Sequence, residues 1–340
     1  MAEPLAAHLP GIRADHLWQF HRHVRRRRRD LHESLLRHRV NQPPDRLVRC
    51  VSEEGGIAVR AIVGTELVRE GAARHRTSPT ATTALGRTLL GALLLAASGK
   101  EDDESVQVQF RGDGPLKGVV AGADALGNAR GYVGSPRAHP PRVDGQLDVH
   151  AAVGAGVLTV VRMRAGQQPY TGIVQIVHGT IAQDLTHYLS ESEQSQTALA
   201  LGVQEDPPRG VRSAAGYLVH ALPGASEAEI DRVEENVRAT PNPSQLVAEG
   251  LDAHGLLARL LEGLGMRDAH ELPVAFHCGC NEERVSRALQ TLGREELERA
   301  IEEAEPIGVE CHFCAASYQV GPDRLRVLIE AGEESSAPPS

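Results

Sequence analysis

Four cysteines in the last quarter of the chain constrain it more than any other feature. They stand as Cys278-Gly-Cys280 and Cys311-His-Phe-Cys314, with thirty residues, Asn281 to Glu310, between the pairs. Two short loops carrying two thiols each are what a closed tetrahedral zinc site requires, because each loop delivers two sulfurs to one metal. The first pair departs from the common spacing, with a single Gly where most structural zinc sites place two or more residues. That crowding predicts a strained ligand pair, and thiols that are near neighbours once the metal leaves. A site that holds zinc when reduced and forms disulfides when oxidised is a redox switch. The remainder of the chain can be read as what such a switch controls.

The chain has 340 residues, enough for two or three domains. With 41% hydrophobic and 24% charged residues it reads as globular rather than disordered. Aromatics make up only 3%, so the core must be built from Leu, Val, Ile and Ala. The net charge of −9 is unevenly spread. Residues 1–45 hold nine Arg against five acids, a local +4, which leaves the rest at −13 and argues against a nucleic-acid-binding body. The fifth cysteine, Cys50, sits in an apolar strand-like run and reads as a buried small hydrophobe. Five cysteines in a chain this long are no secreted disulfide framework. The N-terminus carries no apolar signal region, and the longest apolar stretch, 89–97, is far too short to span a membrane. A reducing cytoplasm fits best.

Residues 1–45 read as a basic extension, marked by the arginine block Arg25–Arg29 and expected to be a solvated tail. Folded sequence begins near Asp45. Apolar runs at 46–51 and 57–63 flank Ser-Glu-Glu-Gly-Gly, a hairpin signal. A helix is predicted over 65–75. Ser78-Pro79 then offers an N-cap and an N1 proline to a second helix. Its Leu85, Leu89, Ala92, Leu93 and Ala96 lie on one face, which predicts a central core helix. Strands follow at 105–110, 116–121, 128–133, 157–164 and 170–177, a helix at 180–193, and strands at 198–203 and 210–222. After Pro223-Gly224 come acidic and then leucine-rich helices, at 226–238, 245–250 and 254–264. Gly250, Gly255, Gly263 and Gly265 weaken them, each by about 1 kcal/mol if interior. The final module reads as a strand at 272–276, helices capped by Asn281 and after Gly293, strands at 307–311 and 315–320, and a helix at 323–330. At about 60 residues it is too small to fold securely without a staple.

The chain is therefore α+β. A basic extension (1–45) precedes a mixed α/β core (46–223). A helical, metastable linker (224–268), a zinc-binding module (269–331) and a Ser/Pro-rich disordered tail (332–340) follow. His277 and His312 adjoin the cysteines and could each replace a thiol, but four thiolates already complete a zinc site. Cys311-His-Phe-Cys314 alone suggests a thioredoxin-type dithiol, yet no βαβ unit precedes it. Gly-x-Ser-x-Gly, Walker and His-Glu-x-x-His motifs are all missing, and nothing in the core reads as an active site.

The cysteine order resembles that of the redox-regulated 33 kDa chaperonin family. Further stretches carry the resemblance: Val106-Gln-Val-Gln-Phe-Arg-Gly-Asp-Gly-Pro115, Tyr170-Thr-Gly-Ile-Val174, Gly179-Thr-Ile-Ala-Gln-Asp-Leu185, Tyr188-Leu-Ser-Glu-Ser-Glu-Gln194, and Ala214-Ala-Gly-Tyr-Leu218 with Leu222-Pro223. It runs from about residue 45 to about residue 330, and residues 1–45 depart from the family. The resemblance implies a cytoplasmic holdase that needs no ATP and is not an enzyme. It implies one Zn(2+) per reduced chain, held by Cys278, Cys280, Cys311 and Cys314. It also implies that oxidants convert these to the disulfides Cys278–Cys280 and Cys311–Cys314, release zinc, and unfold module and linker to expose a surface for unfolding client proteins. A homodimer when active, and thiol reductants for resetting, complete the expected partners; a membrane and nucleic acid do not belong among them. The competing reading is a constitutive zinc-stabilised interaction or nucleic-acid-binding protein that uses Arg25–Arg29. Deleting residues 1–45 should leave zinc release and client holding unchanged; loss of either would show that the arm is functional.

Overall fold

The computed structural model describes residues 43–99, 103–207 and 210–336. The basic segment with Arg25–Arg29 and the last four residues of the chain lie outside them. The fold is built on the helix that the sequence marks as central, α2 (Pro79–Ala96), which follows α1 (Thr65–His75). Ser78 caps α2 by accepting from the Ala81 amide, and Pro79 occupies its first turn. The pattern on α2 predicts one apolar face, but sixteen of its eighteen residues are buried. A helix apolar all round must be enclosed, and here two sheets enclose it.

Among the described residues, the first sheet is antiparallel, in the order β10-β1-β2-β9-β8. It contains β1 (Arg46–Val51), β2 (Ile57–Val63), β8 (Thr197–Asp206), β9 (Gly210–Ala221) and β10 (Arg267–Pro273). Gly55, at φ +88, makes the β1–β2 turn that the Gly-Gly pair signals. The second sheet has the order β11-β5-β4-β3-β6-β7. Its strands are β3 (Ser105–Gly112), β4 (Val119–Asp124), β5 (Asn128–Val133), β6 (Gly156–Met163), β7 (Tyr170–Ile176) and β11 (Ala275–Phe276). The fourth strand starts later than its apolar run suggests, because Lys117 and Gly118 at φ +54 and +101 turn the chain first. A short helix α3 (Val149–Val153), capped by Asp148, lies between the predicted strands at 128–133 and 157–164, and α4 (Ala182–Glu193) packs beside β7 and β8.

Strand alternation splits the apolar residues of the first sheet between two cores. Leu47, Ile62, Ala214 and Leu218 face α2, in one core with Leu85, Leu89, Phe110 and Leu158. Val48, Cys50, Ile57, Val59, Tyr217 and Val219 face the other way. Three helices cover that second face: α5 (Glu227–Ala239), α6 (Pro243–Ala248) and α7 (Ala253–Leu260), with Leu256, Leu257 and Leu260 fully buried. Cys50 is buried here, and burial pushes its thiol up to about 11, in keeping with a small core hydrophobe.

One carboxylate fastens this helical layer to the sheet. Ser226 and Glu229 form a reciprocal capping box at the start of α5. Glu229 Oε1 also accepts from Ser52 Oγ at 2.7 Å and from the Gly56 amide at 3.2 Å, while Oε2 accepts from the Ser226 amide. Glu229 is 5% exposed, and the Ser52 hydroxyl does most to hold its carboxyl below the usual range.

Leaving α7, the chain does not pass straight into a separate module. Strand β10 pairs along the edge of the first sheet, Arg46 opposite Pro273. Strand β11 then pairs in parallel with the edge of the second sheet, Phe276 opposite Ala129. The remainder comprises α8 (Glu282–Leu289), α9 (Arg294–Glu302), a hairpin of β12 (Ile307–Glu310) and β13 (Ser317–Val320), and α10 (Pro322–Ser336). The terminal helix continues to Ser336, past the point where the Ser/Pro composition suggests a tail.

The fastening at Glu229 has a measurable weight. Glu229→Ala leaves the Ser52 and Gly56 donors unmatched and should cost about 1–3 kcal/mol. Thermal melting should fall, and proteolysis between 224 and 264 should quicken. Unchanged melting and cleavage would mean that the carboxylate fastens nothing.

Candidate metal centre

Two pieces of backbone bring the thiols together. The first follows β11, where the His277 amide donates to Ala129 O at 2.8 Å and so fixes the start of the loop on the core. Cys278, Gly279 and Cys280 come next in non-helical backbone, and Gly279 is not in the left-handed region. Both sulfurs reach the cluster across the single Gly, with no left-handed turn at Gly279. The second piece is a tight turn between β12 and β13. The Cys314 and Ala315 amides donate to Cys311 O at 3.3 and 2.7 Å, and the Cys311 amide donates to Ala316 O. Ala315, at φ +55, completes the reversal.

The four sulfurs lie within 4.8 Å of one another, and all four are free thiols. Cys278 Sγ is 3.8 Å from Cys311 Sγ, and Cys280 Sγ is 3.3 Å from Cys314 Sγ. A tetrahedron with Zn–S bonds of about 2.3 Å has edges of about 3.8 Å. Four sulfurs at this spacing, drawn from two loops, fit a closed zinc site by size and by donor type. His277 and His312 stand beside the cluster but are not among the converging donors.

The local electrostatics are uneven. Burial pushes the Cys278 and Cys314 thiols up. Burial acts the same way on Cys280, but hydrogen bonds from Tyr318 and from the other thiols outweigh it and bring Cys280 down to about 7. Tyr318 Oη stands 3.1 Å from Cys280 Sγ, and this bond raises the phenol to about 12, so it remains a donor. Thiols so placed give up their protons on binding a dication.

The cluster rests against the core. Arg130 and Tyr132 project outward from β5, whose buried residues Ala129 and Val133 face α2. Arg130 Nη1 stands 3.9 Å from Cys278 Sγ, and its guanidinium lies 4.9 Å from the centre of the Phe313 ring. Tyr132 meets Phe313 edge-on at 5.4 Å and His312 at 6.0 Å. From the last turn of α1, His75 Nε2 lies 3.2 Å from Phe313 O. Arg74 Nη1 reaches toward Cys314 O, and its guanidinium covers the Phe276 ring at 5.4 Å.

All four predicted cysteines come together. Asn281 caps α8 by accepting from the Arg284 amide, as the sequence predicts, and Glu282 and Glu283 fall in its first turn. Sequence reasoning missed Tyr318, Arg130, Tyr132, Arg74 and His75. Tyr318 stands four residues beyond Cys314, and no spacing rule marks it. The others lie far away in sequence, and only the pairing of β11 with β5 brings them near.

The chain matches the family model described as Hsp33 protein over residues 45–321. It is 40% identical over 282 residues to the 33 kDa chaperonin of Symbiobacterium thermophilum, covering 83% of this chain and 96% of that protein. It is 37% identical over 290 residues to the 33 kDa chaperonin of Listeria monocytogenes serovar 1/2a, with 84% and 98% covered. The crystal structure of the 33 kDa chaperonin from Thermotoga maritima superposes with a TM-score of 0.78 at 29% identity, covering 85% of this chain and 99% of that one. Family match, relatives and fold agree: the chain belongs to the Hsp33 family.

Proposed function

We propose that this protein is a redox-regulated chaperone that holds unfolding proteins without ATP, and that Cys278, Cys280, Cys311 and Cys314 hold one zinc ion in its reduced, inactive form. One observation carries the reading: four free thiols from two loops converge to tetrahedral size. The body they staple has a small core of its own. Among the described residues its buried apolar side chains are Val285, Leu289, Leu297, Val320, Leu325 and Leu328. A bound zinc ion supplies positive charge that keeps the sulfurs as thiolates and ties the two loops together. The relatives' names point to a chaperone rather than an enzyme.

The chain's own atoms do the rest. A thiolate attacks one peroxide oxygen, the O–O bond breaks, and the sulfur becomes sulfenic acid as the other oxygen takes a proton and leaves as water. A neighbouring sulfur displaces the sulfenic oxygen, which leaves as a second water, and an S–S bond forms. Each disulfide passes two electrons to one peroxide. Pairing as Cys278–Cys280 and Cys311–Cys314 is what the family resemblance implies. In the reduced arrangement the separations of 3.8 and 3.3 Å run across the loops instead. Pairing within each loop therefore cuts every sulfur-mediated tie between the loops.

Loss of that tie removes the module's folding energy, and the helical layer at 224–268 loses its continuation. Separation of this layer would bare Val48, Ile57, Val59, Tyr217 and Val219 on the sheet, and Leu256, Leu257 and Leu260 on the helices. Such a surface can hold exposed apolar segments of unfolding proteins. We place the protein in a reducing cytoplasm, dimeric when active, and reset by thiol reductants. No helix among the described residues is long and apolar enough to cross a membrane.

Titration with peroxide under mild heat should release one zinc per chain, in step with suppression of aggregation of an unfolding client. Zinc that stays bound, or equal suppression by the reduced protein, would leave a constitutive zinc-stabilised protein instead. The ligand assignment has its own check by metal analysis of the reduced chain. Cys50→Ser should keep wild-type zinc and Cys280→Ser should lower it; a zinc loss in Cys50→Ser would contradict the assignment.

A further inference from the structure

We infer that Arg130 is a positioning residue that couples the charge of the sulfur cluster to docking of the Cys311–Cys314 loop on the core. The inference rests on the zinc-switch reading and assigns that switch a second output, separate from the helical layer. Arg130 is half-buried on the outer side of β5, and among the described residues no carboxylate pairs with it. The Cys278 sulfur, which can carry negative charge, lies 3.9 Å from its Nη1. Its guanidinium also covers Phe313, which sits between two of the proposed ligands. The same loop is gripped at Phe313 O by His75 and edge-on by Tyr132. Arg74 adds a weaker positive charge, since its guanidinium is already shared with Glu70 at 2.7 Å.

Charge bookkeeping on the sulfurs gives this contact its meaning. Four thiolates around a dication carry a net charge of about two negatives. Oxidation to two disulfides moves four electrons to two peroxides, which take up four protons and become four waters, and the sulfurs are left neutral. In the reduced form Arg130 has its counter-charge and a ring to lie on. In the oxidised form the same half-buried cation faces neutral sulfur. An uncompensated cation gains by turning to water, and the loop it held is then free to leave. Tyr132 and Arg130 would be uncovered together with Phe313. This response needs no signal through the helices at 224–268, because β5 touches the sulfur loops directly.

The test uses the full reduced, zinc-loaded chain and the rate at which zinc passes to a chromogenic pyridylazo chelator without oxidant. Arg130→Gln should still bind one zinc and release it about three- to tenfold faster at low salt. In the unaltered chain, added salt should raise the rate toward that of Arg130→Gln, whose own rate should stay nearly flat, because salt screens the same attraction. Arg130→Lys, which keeps the charge and loses the planar stack, should keep the salt dependence. Labelling of the unaltered chain with an arginine-specific dicarbonyl provides a readout that needs no variant: Arg130 should be protected when reduced and labelled once peroxide has released the zinc. Equal release rates and salt profiles for Arg130→Gln and the unaltered chain, or equal Arg130 labelling before and after oxidation, would overturn the inference. An unaltered chain that binds no zinc, or keeps it under peroxide, would overturn the switch reading and this inference with it.

Discussion

The convergence of four sulfurs from two loops thirty residues apart is the constraint on which the C-terminal part depends. Between the loops, α8 and α9 are short and their outward faces are polar; α8 buries Val285, Ser286 and Leu289, and α9 buries Leu297. The hairpin β12–β13 has four residues in each strand. Elements this small do not bury enough surface to fix one another. A shared tie at the sulfurs orders both loops at once, so whatever breaks it acts on the whole module.

The rest of the chain is organised so that one sheet serves two cores. The α2 side is closed by a second sheet, and its residues come mostly from 47–218. The other side is closed by α5, α6 and α7, which follow the core in sequence and precede the cysteines. The α2 core therefore closes without the module, whereas the second core has as one wall a segment that leads straight into it. That asymmetry is a property of chain order. It separates a part that can stay folded from a part whose far end is tied to the sulfurs.

Much of this was legible because local rules and tertiary structure agree. The hairpin at Gly55, the Ser78-Pro79 start of α2, the Asn281 cap and the cysteine pairs each carry their own short-range signal. What was not legible depends on distant partners. Leu, Ala and Thr around α2 show a stripe but not that a second sheet covers the opposite side. Leu272 to Phe276 reads as a strand of the module. Instead it divides between two sheets whose partners, β1 and β5, lie more than a hundred residues earlier. Arg130 looks like any outward-facing strand residue until β11 lays Cys278 beside it. The single Gly between Cys278 and Cys280 predicts crowding, and nothing in that spacing shows which core residues the loop will meet.

A thin join lies between the helical layer and the sulfurs. Strand β10 is exposed at nearly every residue, so it contributes backbone hydrogen bonds to the edge of the sheet and little apolar burial. Its side-chain ties lie at the surface: Glu271 with Arg46 and His254, and a long 3.4 Å hydrogen bond from Arg267 Nε to Ser52 O; exposed ion pairs are worth little in water. Strand β11 is two residues long and holds by its pairing with β5 and by Phe276 against α1. A module anchored at the sulfurs can keep both strands in place, because a tethered strand re-forms its edge hydrogen bonds at little entropic cost. Once the anchor is gone, each strand must hold by itself, and neither buries enough to do so. The coupling between a covalent change at sulfur and the sheet core thus requires no long-range path, only two thin strands that persist while both of their ends are held.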